Sequence, residues 1–186
     1  MRKNKVISLL LVLFVVCAMS VSGCDNKPSA QTTPGQTTTD GQKSSVAQIK
    51  EKHILYRMPQ NGTQYLLAEK VDVTTSAGKQ ALDTAKALVE TQPAKAVKAT
   101  SAFPAGTKVL KLTVQGSLAT VDLSKEFLTK GLGDYQQAMM VYALVNTLTE
   151  FKDIKQVQIM VEGKKVEILG QLDLSEPLTR NKTYLK

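Results

Sequence analysis

Four carboxylates are the residues of this sequence whose types and spacing best suit catalysis. Asp122 and Glu126 lie in the segment Asp-Leu-Ser-Lys-Glu, and Asp173 and Glu176 lie in the similar segment Asp-Leu-Ser-Glu. Two carboxylates that flank a glycosidic bond are the groups that glycoside hydrolysis requires. The alternative is structural, because Asp and Ser at the end of a strand accept backbone N–H bonds and cap the following turn. The recurrence of Asp-Leu-Ser where strands end favours the capping role.

Serine and histidine offer a second catalytic option. Ser101, Ser117 and Ser124 are nucleophiles only beside a base, and His53 is the only histidine. His53 alternates with apolar neighbours in a strand pattern, which favours a surface or half-buried structural role. No Gly-rich phosphate loop follows a strand, and the spacing of His, Cys and acidic residues fits no metal site. We therefore predict no catalytic, cofactor-binding or metal-ligating residue and no enzymatic activity.

The N-terminus has the pattern of a secretory signal. Basic residues at positions 2, 3 and 5 precede an apolar run, Val6–Met19. At about 14 residues this run is shorter than the roughly 20 that a membrane-spanning helix needs. The segment Val21-Ser22-Gly23-Cys24, directly after the run, resembles the lipobox of bacterial lipoprotein precursors. We predict a lipoprotein signal peptide over residues 1–23, with an ordinary secretory peptide and an incidental cysteine as the alternative.

Cys24 is the predicted site of lipid attachment. In lipoprotein precursors the Cys thiol receives a diacylglycerol and the chain is cut just before it, so acyl chains hold the protein at the membrane. Cleavage would remove Cys17 and three basic residues, which leaves no other thiol and lowers the formal net charge from +8 to +5. We expect the protein on the outer face of the cytoplasmic membrane of a bacterium, where nucleic acid is not an expected partner.

Residues 24–49 have the composition of a flexible tether. Thr, Gln, Ser, Pro and Gly dominate from Asp25 to Ser45, and Ala30 is the only aliphatic residue there. Such a segment buries too little apolar surface to offset the entropy lost on ordering. We predict that the lipidated Cys24 and this disordered tether precede one globular domain over residues 50–186.

Within that domain, pairs of strand patterns alternate with two helix patterns. The order β-β-α-β-β-α-β-β predicts an α+β fold with a mixed, mostly antiparallel sheet and two helices packed on one face. The predicted elements are strands at His53–Met58 and Tyr65–Val73, a helix ending at Glu90, strands at 110–114 and 119–123, a helix over Asp134–Phe151, and strands at 157–161 and 166–168.

Local signals mark the ends and faces of these elements. Asn61-Gly62 predicts a hairpin turn. Thr74–Ser76 provides capping oxygens for the first helix, and Asp134 with Gln137 resembles a capping box for the second. In the strand of the second hairpin, the apolar residues of positions 110, 112 and 114 are expected to share one face. Met139-Met140, in the second helix, is expected to fill the core.

Several ordered blocks of the domain carry a family resemblance. The blocks are Thr100–Thr107, Gly116–Phe127, Tyr142–Phe151, Val161–Lys165 and Leu172–Leu178. They are similar to the GerMN domain of sporulation and spore germination lipoproteins, over a span from about residue 53 to 178. The resemblance implies a non-enzymatic envelope domain in lipoproteins that face the outer surface of the cytoplasmic membrane. For spore-forming bacteria, the resemblance implies that proteins with two GerMN domains in tandem take part in a channel-like assembly between mother cell and forespore. This chain carries a single copy, and a general envelope role is equally compatible with it.

The predicted function is that of a non-catalytic protein-interaction or scaffold module. Its expected partners are envelope or sporulation proteins, or a second copy of the chain, bound through a sheet edge or through the face away from the helices. The alternative is binding or remodelling of a cell-wall polymer such as peptidoglycan. Glycan-binding modules display aromatic platforms, and Tyr56 with Tyr65 is the candidate pair here.

Overall fold

Two long strands form the first ladder of the domain. A computed structural model describes residues 47–186 of the chain. Strand β1 (Ile49–Pro59) pairs antiparallel with β2 (Leu67–Thr75) and with the short β3 (Ala99–Thr100). The connection between β1 and β2 contains Gly62 at φ +70°, a conformation that glycine adopts without strain. The hairpin that Asn61-Gly62 predicts is confirmed.

A second ladder is built around a parallel pair of strands. Strands β4 (Val109–Gln115) and β5 (Leu118–Leu123) form a tight antiparallel hairpin. Strand β6 (Gln156–Val161) then pairs with β5 in parallel, and β4 remains at the edge of the ladder. A parallel pair requires a crossover connection, and the second helix supplies it.

The remaining strands are short. β7 (Lys164–Lys165) pairs with β6. β8 (Ile168–Leu169) and β9 (Leu172–Asp173) form a separate small hairpin, and β10 (Leu178–Thr179) returns to pair with β6. The strands therefore lie in three hydrogen-bonded groups, whereas the sequence predicts one sheet.

Two helices pack against these strands. Helix α1 (Gln80–Glu90) contacts β1, β2 and β4, and helix α2 (Asp134–Leu148) contacts α1, β1 and β6. The apolar stripe predicted for α2 is fully buried, as is the methionine pair: Met139, Met140, Val141, Leu144, Val145 and Leu148. The predicted α+β class with two helices and mixed, mostly antiparallel strands is confirmed.

Both predicted helix caps are wrong. Helix α1 begins after Lys79, which makes no side-chain capping bond, and the Thr75 hydroxyl instead donates to the Asp83 carboxylate (2.8 Å). Helix α2 begins after Gly133, so Asp134 lies inside the first turn. There its charge complements the positive end of the helix dipole instead of capping it. The predicted end of α2 at Phe151 is also three residues too late.

Two strand predictions are corrected by local geometry. The register of β4 shifts between Val109 and Lys111, so Val109 points into the core and Leu110 is 52% exposed. The predicted return strand at 166–168 is wrong in its bounds. The return ladder with β6 is β7 at Lys164–Lys165, after which the N–H of Val166 still donates to the carbonyl of Ile159 (3.3 Å). Ile168 leaves β6 to start the β8–β9 hairpin with an exposed side chain.

Candidate functional site

Of the four candidate carboxylates, the two aspartates are held in local turns. Asp122 accepts a hydrogen bond from the backbone N–H of Gly163 (2.9 Å), and Asp173 accepts bonds from the backbone N–H (2.9 Å) and hydroxyl (2.6 Å) of Ser175. Glu176 is exposed. Within residues 47–186, no hydrogen bond or ion pair joins the Asp122 segment to the Asp173 segment. The turn-capping prediction is confirmed for both aspartates.

The pKa directions of Asp173 and Glu126 are opposite to that of a general acid. The hydroxyl and backbone N–H of Ser175 hold the pKa of Asp173 below its usual range. The pKa of Glu126 is also lowered, first by a hydrogen bond from Ser124 and then by its own backbone N–H. A catalytic acid in glycoside hydrolysis needs a raised pKa. Asp173 and Glu126 therefore lack the raised pKa of a catalytic acid.

The serines and His53 are also apart from one another. Ser101 accepts a hydrogen bond from the backbone of Phe103 (3.2 Å), Ser124 accepts one from that of Lys108 (3.0 Å), and Ser117 is exposed. His53 is half-buried, with its ring 5.2 Å from that of Phe151. No serine hydroxyl bonds to it in the described part of the chain. Residues 47–186 also hold no group of three potential metal ligands.

Tyr56, one of the candidate platform tyrosines, has a structural role. Its hydroxyl donates to Glu150 (2.8 Å) and accepts from Arg180 (2.7 Å), and Arg180 also pairs with Glu150. Burial, and then the bond to Glu150, raises the pKa of Tyr56. Because this cluster fastens the C-terminal segment to the end of α2, Tyr56 is not available as a platform. Tyr65 remains on the surface at 36% exposure.

A different set of tyrosines borders a surface cavity of about 390 Å³. Tyr135 comes from the first turn of α2, and Tyr184 from a short 3-10 helix, Lys182–Tyr184, near the C-terminus. The ring of Tyr184 stacks on that of Tyr142, with centroids 4.5 Å apart. The hydroxyl of Tyr135 donates to the backbone carbonyl of Thr63 (2.7 Å). We call this feature the tyrosine cavity.

Polar side chains complete the tyrosine cavity. Gln64, Gln171 and Thr183 provide amide and hydroxyl groups, and Asp134 provides one carboxylate. Burial raises the pKa of both Tyr135 and Tyr184, so the phenols are neutral at physiological pH. Residues from three distant parts of the chain meet here. The sequence offered no signal for this, because nothing in it relates position 135 to position 184.

The second notable surface is the free edge of β4. No strand within residues 47–186 pairs with its outer side. Leu110 and Val114 are 52% and 43% exposed, and Leu112 is half-buried beside them. An apolar, unpaired edge is a template for another strand. We call Val109–Gln115 the β4 edge.

The predicted lipid anchor lies outside the described residues. Cys24, the signal peptide over residues 1–23 and most of the tether precede residue 47, where the description begins. Among residues 47–186, neither helix has the length and apolar character to cross a bilayer.

The fold and these surfaces define a small α+β domain with a free sheet edge and a tyrosine-lined cavity. The model of one protein family, Germane, described as "Sporulation and spore germination", matches residues 54–167. The chain belongs to this family, which confirms the resemblance of its sequence blocks to GerMN domains.

Solved structures agree with the fold at low sequence identity. The tandem GerMN domains of the sporulation protein GerM from Bacillus subtilis align with a TM-score of 0.58 at 22% identity, over 70% of this chain and 46% of that one. The chain thus spans less than half of the tandem protein. The first GerMN domain alone aligns with a TM-score of 0.57 at 22% identity, over 70% of this chain and 98% of that one.

A third structure has the same fold in another organism. A protein from Clostridium perfringens that is described as a lipoprotein aligns with a TM-score of 0.51 at 20% identity, over 73% of this chain and 89% of that one. No curated protein sequence matches this chain.

Proposed function

We propose that this protein is a lipid-anchored lipoprotein on the outer face of the cytoplasmic membrane, whose Germane domain binds other envelope proteins and catalyses no reaction. The lipobox-like segment before Cys24 supports the anchor. The C. perfringens protein of the same fold, described as a lipoprotein, supports it independently. Membership of the sporulation and spore germination family supports a role in one of these processes.

The β4 edge is the observation that carries the interaction role. In an antiparallel pair, every second residue of a strand points its backbone N–H and C=O groups away from the partner strand. Counted from the two-residue turn after Gln115, these residues in β4 are Leu112 and Val114. Their N–H and C=O groups face outwards beside exposed apolar side chains, which is the arrangement that binds an added strand. Natural edges are normally protected by charge, bulges or a covering segment. In β4 the register shift and Lys111 protect the first half of the strand, and residues 112–115 carry neither device.

Charge favours a different protein over a second copy as the added strand. Lys111 lies exposed in the middle of β4, and Lys108 precedes the strand. Pairing with a second β4 would bring lysines of the two copies together at one edge, and like charges in opposite positions destabilise a strand pair. A partner segment with alternating apolar residues and an acidic residue opposite Lys111 avoids this repulsion.

The test is photocrosslinking in growing and sporulating cells. A photoreactive residue is placed at Val114, and at Leu128 as the control, because both side chains are 43% exposed and only Val114 belongs to the β4 edge. We expect one discrete crosslinked envelope protein from position 114 and none from 128. A Cys24→Ala variant, which cannot be lipidated, should lose the crosslink together with membrane association. A crosslink to a second copy of the chain would contradict the charge argument.

A charge substitution at the edge tests the mode of binding. Leu110→Lys should abolish the crosslink from position 114 because added charge blocks strand pairing. Leu128→Lys should leave the crosslink unchanged. Equal crosslinking from positions 114 and 128 would refute the edge as the binding surface. Turnover of peptidoglycan fragments that is lost on Asp122→Ala or Glu126→Ala would refute the non-catalytic assignment.

Binding of a cell-wall polymer is a second candidate function. The tyrosine cavity favours it, because aromatic rings and neutral polar side chains meet there at the surface. The two functions use separate surfaces. A pull-down on purified wall sacculi tests this candidate independently of the crosslinking experiment.

A further inference from the structure

The tyrosine cavity has the dimensions of a small-molecule site. Its volume of about 390 Å³ lies within the range of about 300–1,000 Å³ that is usual for such sites. Four structural units form its walls: the connection between β1 and β2, the first turns of α2, the β8–β9 hairpin and the C-terminal 3-10 helix. Such a composite wall brings together groups that no single element carries.

The two tyrosine rings are held in place before any ligand arrives. One face of Tyr184 is covered by Tyr142 at 4.5 Å, which leaves the rest of the ring to border the cavity. Tyr135 is fixed by the bond from its hydroxyl to Thr63, yet its side chain is 40% exposed. Because the rings are already ordered, a ligand that packs on them loses less side-chain entropy on binding.

The polar groups of the cavity select against anionic ligands. No Lys, Arg or His is among the described residues that line it. A phosphate or carboxylate ligand would therefore lack a basic partner and would approach the carboxylate of Asp134. A fully apolar ligand would leave the buried side-chain oxygen of Gln137, which accepts no hydrogen bond within the described residues, without a partner, at a cost in free energy.

A neutral ring with several hydroxyl groups satisfies all of these conditions. The C–H groups on one face of a pyranose pack against an aromatic ring, and its hydroxyls exchange hydrogen bonds with amide, hydroxyl and carboxylate side chains. We propose that the tyrosine cavity binds one pyranose unit of a neutral saccharide. This inference rests on the second candidate function, wall-polymer binding, and assigns its site and ligand class.

The test uses the full chain, purified in detergent, and two soluble probes. One probe is a β-1,4-linked N-acetylglucosamine tetramer, which represents the peptidoglycan glycan, and the other is a neutral hexose tetramer without acetamido groups. The chain has five tyrosines and no tryptophan, so intrinsic tyrosine fluorescence reports binding without interference. Saturable binding of the first probe alone assigns the site to the peptidoglycan glycan. Binding of the second alone assigns it to hexose polymers, and binding of both supports the pyranose class.

Variants locate the binding. Tyr135→Ala should weaken the affinity about fivefold, since an aromatic contact contributes about 1 kcal/mol. Gln171→Ala, in an exposed turn, should weaken it several-fold without risk to the core. Tyr65→Ala is the matched control, because Tyr65 is similarly exposed but does not line the cavity, and its affinity should stay within twofold. Circular dichroism confirms that each variant is folded.

Two outcomes would overturn the proposal. The first is no saturable binding of either probe by the folded protein. The second is unchanged affinity in both Tyr135→Ala and Gln171→Ala. A pull-down of the same protein preparation on purified wall sacculi distinguishes a wrong binding site from a wrong function. If sacculi bind the protein and the cavity variants bind them equally well, wall binding holds and the cavity is the wrong site. If sacculi do not bind, the wall-binding function itself fails.

Discussion

Two ion pairs join the same two strands of this domain and differ in burial. In the inner pair, the side chains of Arg57 and Glu69 are 2% and 6% exposed, with Nε and Oε2 2.8 Å apart. In the outer pair, the side chains of Lys52 and Asp72 are 76% and 56% exposed, with Nζ and Oδ1 2.7 Å apart. The similar distances allow the effect of burial on the free energy of unfolding to be measured within one protein.

The inner pair also binds the end of helix α1. The Arg57 guanidinium donates to the carbonyl oxygens of Leu88 (2.7 Å) and Thr91 (3.0 Å), groups that the helix leaves without partners at its C-terminus. The second oxygen of Glu69 accepts from the backbone N–H of Ala94 (2.7 Å). Loss of the Arg57 charge therefore leaves the buried Glu69 carboxylate without a countercharge and the carbonyl of the buried Leu88 without its Arg57 bond. We expect Arg57→Met to lower the free energy of unfolding by about 3–5 kcal/mol.

Urea unfolding at neutral pH, followed by circular dichroism, measures this effect. The control Lys52→Met should cost about 0–1 kcal/mol, because solvent screens the exposed pair. The double variant Arg57→Met with Glu69→Leu should recover part of the loss, since it removes the uncompensated charge. A loss in Arg57→Met no larger than in Lys52→Met would refute the reasoning. So would a double variant that is less stable than Arg57→Met alone.

Three further changes test separate features of the domain. Phe127→Ala should cost about 3–5 kcal/mol in a thermal or urea unfolding experiment, because the ring is fully buried and its removal leaves a cavity; a loss below 1 kcal/mol would contradict this. Ser175→Ala should move the pKa of Asp173 up towards its ordinary value, as measured by NMR titration. The stabilising bond is present at neutral pH and is lost as the pH falls through the lowered pKa. An unchanged titration midpoint would exclude the bond from the Ser175 hydroxyl as the main cause. Gly170→Ala should cost about 1–2 kcal/mol in urea unfolding because the residue has a positive φ, and the new methyl group would also displace the Gln137 side chain. Full stability together with an unmoved Gln137 amide signal in NMR spectra would count against it.

Periodicity predicted the elements with long, regular patterns and failed at their ends. The stripe of α2 and the alternation of β6 are buried as expected because each repeats over several turns or residue pairs. The cap predictions were wrong because the side chains of Thr74–Ser76 and Asp134 are suited to capping, but none of these residues stands directly before its helix. Leu110 was assigned to the wrong environment because a one-residue shift in register exchanges the two faces of a strand.

The candidate surfaces were predictable to different degrees. A free sheet edge was expected, but which strand occupies it depends on the order of the strands, and β5 pairs with β6 on the side away from β4. Tyr56 and Tyr65 are close in sequence and were the natural candidates for an aromatic platform. The structure instead buries the hydroxyl of Tyr56 in an ion-pair cluster and brings Tyr184 to the start of α2.

The sequence by itself determined the family, the α+β class, the two central helices and strands, and the local turns at Asp122 and Asp173. These features depend on residues near one another in the chain, where spacing and residue type carry the information. Only the tertiary structure decided the edge strand, the inner ion pair and the tyrosine cavity. Each joins residues that are distant in sequence, and their meeting depends on the register of strands and the placement of helices, which the whole core sets together.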